Sequence, residues 1–367
     1  MKILIISRAT FPMQDPRAFR TAELSEQLSK MGHDVTLYTV QSSYDYTSYM
    51  QKTGIVVKPI RMKFATILGD CSRKPSFIDR VLAKLFRKWL YYPDIEFMFR
   101  MKKILQEEND VDLLITIAQP HSIHWGVGFA KSKFGKKFPK VWVADCGDPF
   151  CGNAVRKWPN YMSYFEKKWC RQVDYITVPT EVSKEGYFPD FRDKIRVIPQ
   201  GFDFSKTPIV EYKKNSIPTF IFTGSIYPER SPQRFMDYLL TLDIDYKFLL
   251  YMRSPFNKKY ETLSNGKIKY MIGYGRAEII KVCSQADFLI NVRNPTSVQT
   301  PSKLIDYGIA KRPILDISNN FKEQEEFTHF INGDYTNQLK IQDLDVYKIE
   351  NVAASFISLA KTSLNYD

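Results

Sequence analysis

Cysteine and histidine are scarce in this sequence of 367 residues, which contains 5 cysteines and 4 histidines. The cysteines are odd in number and include no Cys-x-x-Cys pair, so neither a disulfide scaffold nor a zinc finger is expected. A reducing cytoplasm is the compartment that this cysteine usage predicts. Glycine (16) and proline (20) are too few for a collagenous or largely disordered chain.

Long apolar runs and the common nucleotide-binding motifs are also missing. No uninterrupted apolar stretch approaches the roughly 20 residues that cross a bilayer. The opening MKILIISR is too short for the apolar core of a secretory signal, which needs about 7–15 residues. The sequence contains no GxxxxGK[ST] phosphate loop and no GxGxxG fingerprint, which argues against NTPases and dehydrogenases.

Positive charge is in excess and unevenly distributed. The net charge is +13, and residues 51–100 alone hold 11 basic and 4 acidic side chains. Such a basic region attracts phosphates, an anionic membrane surface or nucleic acid, and the sign of the charge does not choose among them. The stretch Arg80–Lys103 interleaves basic and aromatic residues, so it is the candidate for a peripheral contact with the inner face of the plasma membrane.

Strands and helices alternate along both halves of the chain. The first half contains predicted strands such as Lys2–Ile6, and a helix from about Phe19 to Met31 that ends at Gly32. The pattern starts again after residue 203 and ends in a helix predicted at Tyr347–Ser363. We therefore predict an α/β fold with two doubly wound, Rossmann-like domains. The predicted bounds are 1–203 and 204–345, with a C-terminal helix in 346–367 that returns to the first domain.

Ligand sites are expected where the parallel strands of such sheets end, which makes the cleft between the domains the default active site. In the first domain, His121 and His124 follow a predicted strand, but no third ligand lies nearby in the sequence, so a zinc site is not expected. Asp148 follows the strand Val141–Ala144 and precedes Pro149. Spacing alone favours a turn role for Asp148.

Two segments of the second domain are candidate anion sites. Gly224 allows a ligand to approach the backbone after the strand Thr219–Phe222, and Arg230 lies near the start of the next helix. Taken alone, this segment favours a plain strand-to-helix turn with a surface arginine over an anion site.

The second segment begins at Pro301, which suits the first position of a helix. Ser302 and Lys303 then offer free backbone N–H groups at the positive end of the helix dipole. Asp306 lies one turn further along and can accept the hydroxyl groups of a ribose. An ordinary capped helix with a solvated lysine and aspartate explains the spacing about equally well.

Six segments along the chain follow one another in a familiar order. They are Ser7–Tyr38, with its Gly32-His33; Pro120–His124, which is similar to PPHSVH; Val143–Phe150, which is similar to xADxRDPW with Gly147 in place of Arg; Ile198–Asp203, which is similar to iPNGfD; Phe222–Arg230, with Arg230 at a Lys position; and Pro301–Tyr307, which is similar to PSKlfEY. Together they resemble the family 4 glycosyltransferases, especially the bacterial cell-surface polysaccharide group. The last segment corresponds to the family's Glu-x7-Glu motif, with Asp306 for the second Glu and Val298 for the first.

The resemblance implies a retaining glycosyltransferase of GT-B architecture, whose two Rossmann-like domains face a central cleft. Its donor would be a nucleotide-sugar, UDP- or GDP-linked, and its acceptor a lipid-linked or membrane-proximal saccharide. The donor-binding residues that the resemblance implies are Gly224, Arg230, Gly273, Tyr274, Pro301, Ser302, Lys303 and Asp306.

Within that set, the resemblance assigns the diphosphate to Arg230, Lys303 and the backbone of Ser302, the ribose to Asp306, and the base to Gly273 and Tyr274. His121 and Asp148 would orient the sugar and the acceptor. Neither a metal nor another cofactor is expected. A different GT-B activity, such as a nucleotide-sugar epimerase, is the alternative enzyme. A basic nucleic-acid-binding protein is the alternative from another class, although no nucleic acid is expected as a partner.

Overall fold

The computed structural model describes residues 1–13, 15–63, 76–153, 156–207, 209–228, 230–252, 255–293, 302–341 and 343–364. The chain forms two compact units. One consists of Met1–Phe202 and Val346–Asp367, and the other of Asp203–Asp345. The C-terminal segment therefore belongs to the same unit as the N-terminus.

A parallel sheet of seven strands forms the centre of the first unit. The strands are β1 (Lys2–Ser7), β2 (Asp34–Val40), β3 (Val56–Ile60), β4 (Leu113–Ile117), β5 (Val141–Asp145), β6 (Tyr175–Val178) and β7 (Ile195–Val197). They lie in the order β3-β2-β1-β4-β5-β6-β7. β4 and β5 are buried along their whole length, which explains their continuous apolar sequences.

The first unit also contains α-helices. They are α1 (Pro16–Lys30), α2 (Thr47–Thr53), α3 (Phe77–Leu90), α4 (Glu96–Glu107), α5 (Ser122–Lys131) and α6 (Ser163–Gln172), joined by the C-terminal helix, which is α12 in chain order (Ile349–Leu364). The apolar side of α12 lies in the same core cluster as β1 and α1, through residues such as Val352 and Phe356.

Local sequence explains the bounds of α1. The helix begins at Pro16, earlier than the predicted Phe19, because the Asp15 side chain accepts hydrogen bonds from the backbone N–H groups of Arg17 and Ala18. It ends just before Gly32, whose φ of +83° is the left-handed conformation predicted there.

A second parallel sheet, of five strands, forms the centre of the other unit. The strands are β8 (Thr219–Thr223), β9 (Lys247–Met252), β10 (Ile268–Ile272), β11 (Phe288–Val292) and β12 (Ile314–Ile317), in the order β10-β9-β8-β11-β12. The helices are α7 (Gln233–Leu239), α8 (Lys259–Leu263), α9 (Arg276–Gln285), α10 (Ser302–Ala310) and α11 (Gln324–Ile331). Stacked phenylalanines, among them Phe220 and Phe288 with ring centroids 4.9 Å apart, fill its core.

None of the helices in the described ranges combines the length and the hydropathy that spanning a bilayer requires. α3 nevertheless exposes apolar side chains. Phe77, Leu85 and Trp89 are 74%, 59% and 57% exposed. By contrast, Phe97 on α4 and Tyr91 before it are buried in the core. The basic aromatic stretch Arg80–Lys103 is therefore divided between an exposed helix and a core helix.

Candidate functional site

A buried ion pair holds the end of β5 against α1. Asp145 is the last residue of β5, and the guanidinium of Arg20 donates to both of its carboxylate oxygens, at 3.1 and 2.8 Å. Thr177 on β6 donates a further hydrogen bond of 2.7 Å to this carboxylate. Burial opposes ionisation of Asp145, but the charge and hydrogen bonds of Arg20 prevail and lower its pKa. Both oxygens of the Asp145 carboxylate thus accept hydrogen bonds from Arg20, which balances their charge.

Arg17 occupies the space beside Gly147. A Cβ atom on Gly147 would collide with Nη2 of Arg17, so the guanidinium fills the volume that any larger residue would need. Its Nη1 lies 3.5 Å from Asp145, whose oxygens Arg20 already engages at shorter distances. Gly147 stands where the resembled motif has arginine, and the guanidinium of Arg17, from α1, lies beside that position.

His121, His124 and Cys146 form a buried cluster at the ends of β4 and β5. The sulfur of Cys146 lies 3.4 Å from Nε2 of His124. A ring nitrogen of each histidine and this sulfur all lie within 4.8 Å of one another. A third potential ligand therefore lies near the two histidines in space, although none lies near them in the sequence. Parallel pairing of β4 with β5 brings Cys146 to them from 22 residues further along the chain.

Two residues predicted to be catalytic, His121 and Asp148, lie together. The backbone of Asp148 is hydrogen-bonded to the His121 ring. Burial, with a smaller contribution from the charge of Arg17, lowers the pKa of His121 to about 3. The imidazole is consequently neutral at physiological pH, and no described residue forms a hydrogen bond with its Nδ1. A neutral imidazole can bind a hydroxyl group without carrying charge into the site.

Asp94 is a further ionisable residue of the first unit. It precedes α4, and its Oδ1 is buried without a hydrogen-bond partner. Burial raises the pKa of Asp94 to about 6, although the charges of Arg8, Arg156 and Arg87 oppose this shift. Three arginines thus surround a carboxyl group that forms no ion pair with any described residue.

Lys303 is the most unusual charged residue of the second unit. It lies in the first turn of α10, is only 7% exposed, and its Nζ has no hydrogen-bond partner among the residues that the structure describes. The ammonium group lies 4.4 Å from the ring centroid of Phe222 and 5.8 Å from that of Tyr307. Burial and the nearby charge of Arg230 lower the pKa of Lys303 well below its ordinary value. An anion bound here would stabilise the ammonium.

Arg230 and Gly224 lie on the loop that follows β8. Gly224 has a φ of +107°, a conformation that favours glycine. The backbones of Tyr227 and Arg230 bond to each other in a tight turn, which positions Arg230 just before α7. Burial lowers the pKa of Arg230, and its charge acts on Lys303. The structure therefore brings the two predicted diphosphate-binding cations, Arg230 and Lys303, close together.

Asp306 is not the solvated aspartate of the alternative interpretation. Nε and Nη2 of Arg276, in the first turn of α9, donate to its Oδ1 at 2.9 and 2.6 Å. Burial raises the pKa of Asp306, while the charge and hydrogen bonds of Arg276 oppose that shift. One oxygen of the carboxylate is thus engaged by Arg276.

The remaining predicted donor residues lie near β10 and α10. Gly273, with a φ of +88°, ends β10, and the exposed Tyr274 makes an edge contact with Tyr251 at 5.0 Å. Ser302 is the first residue of α10, but its side chain lies outside the described part of the structure. Pro301 and Val298 also lie outside the described residues.

Four residues of these sites escaped the sequence-based predictions: Arg17, Asp94, Cys146 and Arg276. Arg17 lies in the first turn of α1 and Arg276 is the first residue of α9. Each is close to residues that were predicted for the site of its own unit. The position of an arginine in a first turn is the one signal that was available for them. Nothing in the spacing of Asp94 or Cys146 indicates their neighbours.

Comparison with known proteins agrees with this architecture. The sequence model of the family described as Glycosyltransferase Family 4 matches residues 19–206. No curated protein sequence matches the chain significantly.

Several solved structures are similar over the whole chain. A glycosyltransferase from Rickettsia africae is 12% identical, with a TM-score of 0.67, and covers 100% of this chain and 99% of its own. HepE from Anabaena, in complex with UDP, is 11% identical with a TM-score of 0.58 and the same coverage. The lipopolysaccharide outer core galactosyltransferase WaaB is 13% identical, with a TM-score of 0.55, and covers 100% and 98%. The predicted GT-B fold, with two parallel-sheet α/β domains, is confirmed.

Proposed function

Because the chain belongs to glycosyltransferase family 4, we propose that it transfers a sugar from a nucleotide-sugar donor, UDP- or GDP-linked, to a lipid-linked or membrane-proximal saccharide in cell-surface polysaccharide synthesis. The observation that carries the proposal is the buried amino group of Lys303, which forms no hydrogen bond or ion pair with any described residue. Burying an unpaired charge is costly, and burial lowers the pKa of Lys303. A lysine buried in the first turn of α10 therefore supports an anionic ligand there, because the anion would stabilise the charged form.

The donor diphosphate is the ligand that fits this position. Lys303 and Arg230 offer two positive charges at the start of α10 and just before α7. The first-turn backbone N–H groups of α10 add partial positive charge. HepE is a GT-B protein of similar fold that has been solved with UDP and with UDP-glucose. We infer that the same class of donor binds here, with Asp306 on the ribose and Gly273 and Tyr274 along the base.

The proposed reaction proceeds with retention of configuration at the anomeric carbon. The acceptor oxygen forms a bond to that carbon on the face from which the diphosphate departs, and the departing phosphate oxygen takes the acceptor proton. Lys303 and Arg230 stabilise the charge that develops on the diphosphate, so the transfer requires no metal ion. His121, neutral and with a free Nδ1, and Asp148 orient the sugar and the acceptor hydroxyl.

We further propose that α3 is the contact with the membrane. Phe77, Val81, Leu85 and Trp89 recur at intervals of four residues, and all are exposed. The basic residues Arg80, Lys84 and Arg87 lie on the same helix, and an exposed helix of this kind binds anionic bilayers. This contact would bring the protein to lipid-linked acceptors at the inner face of the plasma membrane.

Nucleotide binding by the purified protein tests the donor site. UDP and GDP should raise the melting temperature, and EDTA should not abolish the effect. Lys303→Met should weaken binding by roughly 10- to 100-fold, the scale of a hydrogen bond to a charged group. Lys281→Met, an exposed lysine of α9, is the matched control and should bind normally. Equal affinity in both variants would remove the basis of the proposal.

Product analysis tests the reaction itself. Radiolabelled UDP- and GDP-sugars are incubated with the protein and with lipid-extracted saccharide acceptors, and the anomeric configuration of the product is determined by NMR. Transfer with an unchanged configuration supports the proposal. An epimerised nucleotide-sugar without transfer would instead identify the alternative enzyme class, and tight, salt-sensitive binding of duplex DNA without nucleotide binding would favour the nucleic-acid alternative.

A further inference from the structure

The cluster of His121, His124 and Cys146 has the composition of a site for a soft metal ion. The three residues are 2%, 0% and 1% exposed. Their ligand atoms lie within 4.8 Å of one another, and the Cys146–His124 distance is already 3.4 Å. With metal–ligand bonds of about 2.0–2.3 Å, ligand atoms around a three-coordinate ion lie about 3.5–4 Å apart. A shift of about 1 Å by the His121 ring would complete that geometry.

Both histidines are held by neighbours that leave a nitrogen available to an ion. Nδ1 of His124 lies 2.8 Å from Oγ1 of Thr116, and Trp142 donates a hydrogen bond of 2.9 Å to the same hydroxyl oxygen. The Nε2 atom of His124 therefore points at Cys146. The His121 ring is bonded to the backbone of Asp148, and its Nδ1 has no partner. Metal-ligating histidines are characteristically oriented by such outer contacts.

Charge and coordination number select the ion. One thiolate and two neutral imidazoles carry a single negative charge, so a monovalent ion leaves a neutral complex, which suits a fully buried position. A divalent ion would leave a net positive charge close to Arg17, while the carboxylate of Asp145 is already matched by Arg20. The described residues contribute three ligands to this cluster, whereas zinc takes four. Thiolate and imidazole together favour copper(I) among soft ions.

We propose that His121, His124 and Cys146 form a copper(I) site. On binding, the sulfur of Cys146 forms a bond to the ion and releases its thiol proton to solvent, and each imidazole binds through a nitrogen lone pair. No electron is transferred. If the proposed function is correct, the ion removes His121 from the sugar site, so bound copper(I) inhibits transfer and a copper(I) chelator restores it.

Copper(I) competition tests the site independently of activity. The reduced full-length protein is mixed, without oxygen, with the copper(I)–bicinchoninate complex, and the loss of the chelator's colour measures transfer. Wild-type protein should remove one equivalent that Cys146→Ser and His124→Gln do not remove. Cys170→Ser, which alters another buried cysteine, is the matched control and should retain it. Melting temperatures establish that each variant is folded, and the two ligand variants provide independent tests if one does not fold.

A substitution outside the ligand set sharpens the test. Thr116→Val removes the hydroxyl group that orients His124 and should weaken copper(I) binding about 10- to 100-fold. The proposal is overturned if Cys146→Ser still takes up the same equivalent, if Cys170→Ser loses as much as Cys146→Ser, or if zinc(II) binds to the three residues more tightly than copper(I). Absence of nucleotide binding in the same preparation would contradict the proposed function without affecting the copper result.

Discussion

The two units bury one cation each in opposite ways. In the first, Arg20 is matched by the carboxylate of Asp145 through two hydrogen bonds. In the second, Lys303 is buried beside two aromatic rings and forms no hydrogen bond within the described part of the chain. A matched pair in the interior fixes one arrangement of the chain, whereas an unmatched charge makes the apo protein less stable than it would otherwise be. Arg20 is therefore a charge that stabilises the fold, whereas Lys303 is a charge that we expect a bound anion to stabilise.

Breaking the matched pair should have the largest effect. Arg20→Met leaves the buried Asp145 carboxylate with only the longer 3.5 Å ion pair to Arg17, and the free energy of unfolding should fall by about 3–5 kcal/mol. Denaturant titration measures this loss. The double variant Arg20→Met with Asp145→Leu should recover much of it, because neither charge then remains. A single variant as stable as the wild type would mean that the pair does not fix the fold.

Asp94 extends the comparison to an unmatched anion in the first unit. A carboxyl group whose pKa is raised to about 6 binds protons more tightly in the folded state than in the unfolded state. Its contribution to stability is present at low pH and is lost as the pH rises from about 4 to 6. Asp94→Asn removes that loss, so at pH 7 it should stabilise the protein by up to about 3 kcal/mol.

The variant should also flatten the dependence of stability on pH between 4 and 6. Asp110→Asn changes an exposed aspartate and serves as the control. Stability that rises with pH over this interval in the wild type, and not in Asp94→Asn, would show that the arginines nearby stabilise the charged form after all.

Lys303 provides the counterpart in the second unit. Lys303→Met removes a buried group with no partner, and the apo protein should become more stable by roughly 1–3 kcal/mol. The same substitution should weaken UDP binding. Melting temperatures with and without UDP measure both effects on one sample. A variant that is less stable than the wild type would show that Lys303, like Arg20, stabilises the fold.

The architecture was accessible from the sequence because it follows from local patterns. Apolar runs such as those of β4 and β5 identify buried parallel strands, and Gly32 identifies the end of α1. The observed bounds of a helix differ from the predicted ones where a side chain accepts hydrogen bonds from the backbone, as Asp15 does at the start of α1. Motif order also predicted Lys303 and Arg230 as one site, and the charge of Arg230 acts on Lys303.

The pairing of side chains across the sheets was not accessible in this way. Cys146 meets His124 only because β4 and β5 pair in parallel register, and Arg276 meets Asp306 because α9 and α10 lie side by side. The division of the basic aromatic stretch between an exposed and a buried helix was not accessible for the same reason. Only packing decides that Phe97 is buried while Trp89 is exposed.

The smallest expected effect concerns Arg276, which engages one oxygen of Asp306 at 2.9 and 2.6 Å. If Asp306 binds the ribose through its other oxygen, Arg276 fixes the orientation of the carboxylate, and Arg276→Ala should weaken UDP binding by about 0.5–1.5 kcal/mol. A ligand without ribose hydroxyl groups, 2′,3′-dideoxy-UDP, has no such bond to lose. Its affinity should therefore be nearly the same for wild type and variant.

Calorimetry with both ligands on both proteins gives the coupling directly, as in a double-mutant cycle. Arg234→Ala, on the exposed side of α7, controls for the loss of one positive charge from this unit. If the arginine acted only through its charge on the diphosphate, Arg276→Ala would weaken both ligands equally. A coupling near zero would thus assign Arg276 to the diphosphate, whereas the expected coupling assigns it, through Asp306, to the ribose.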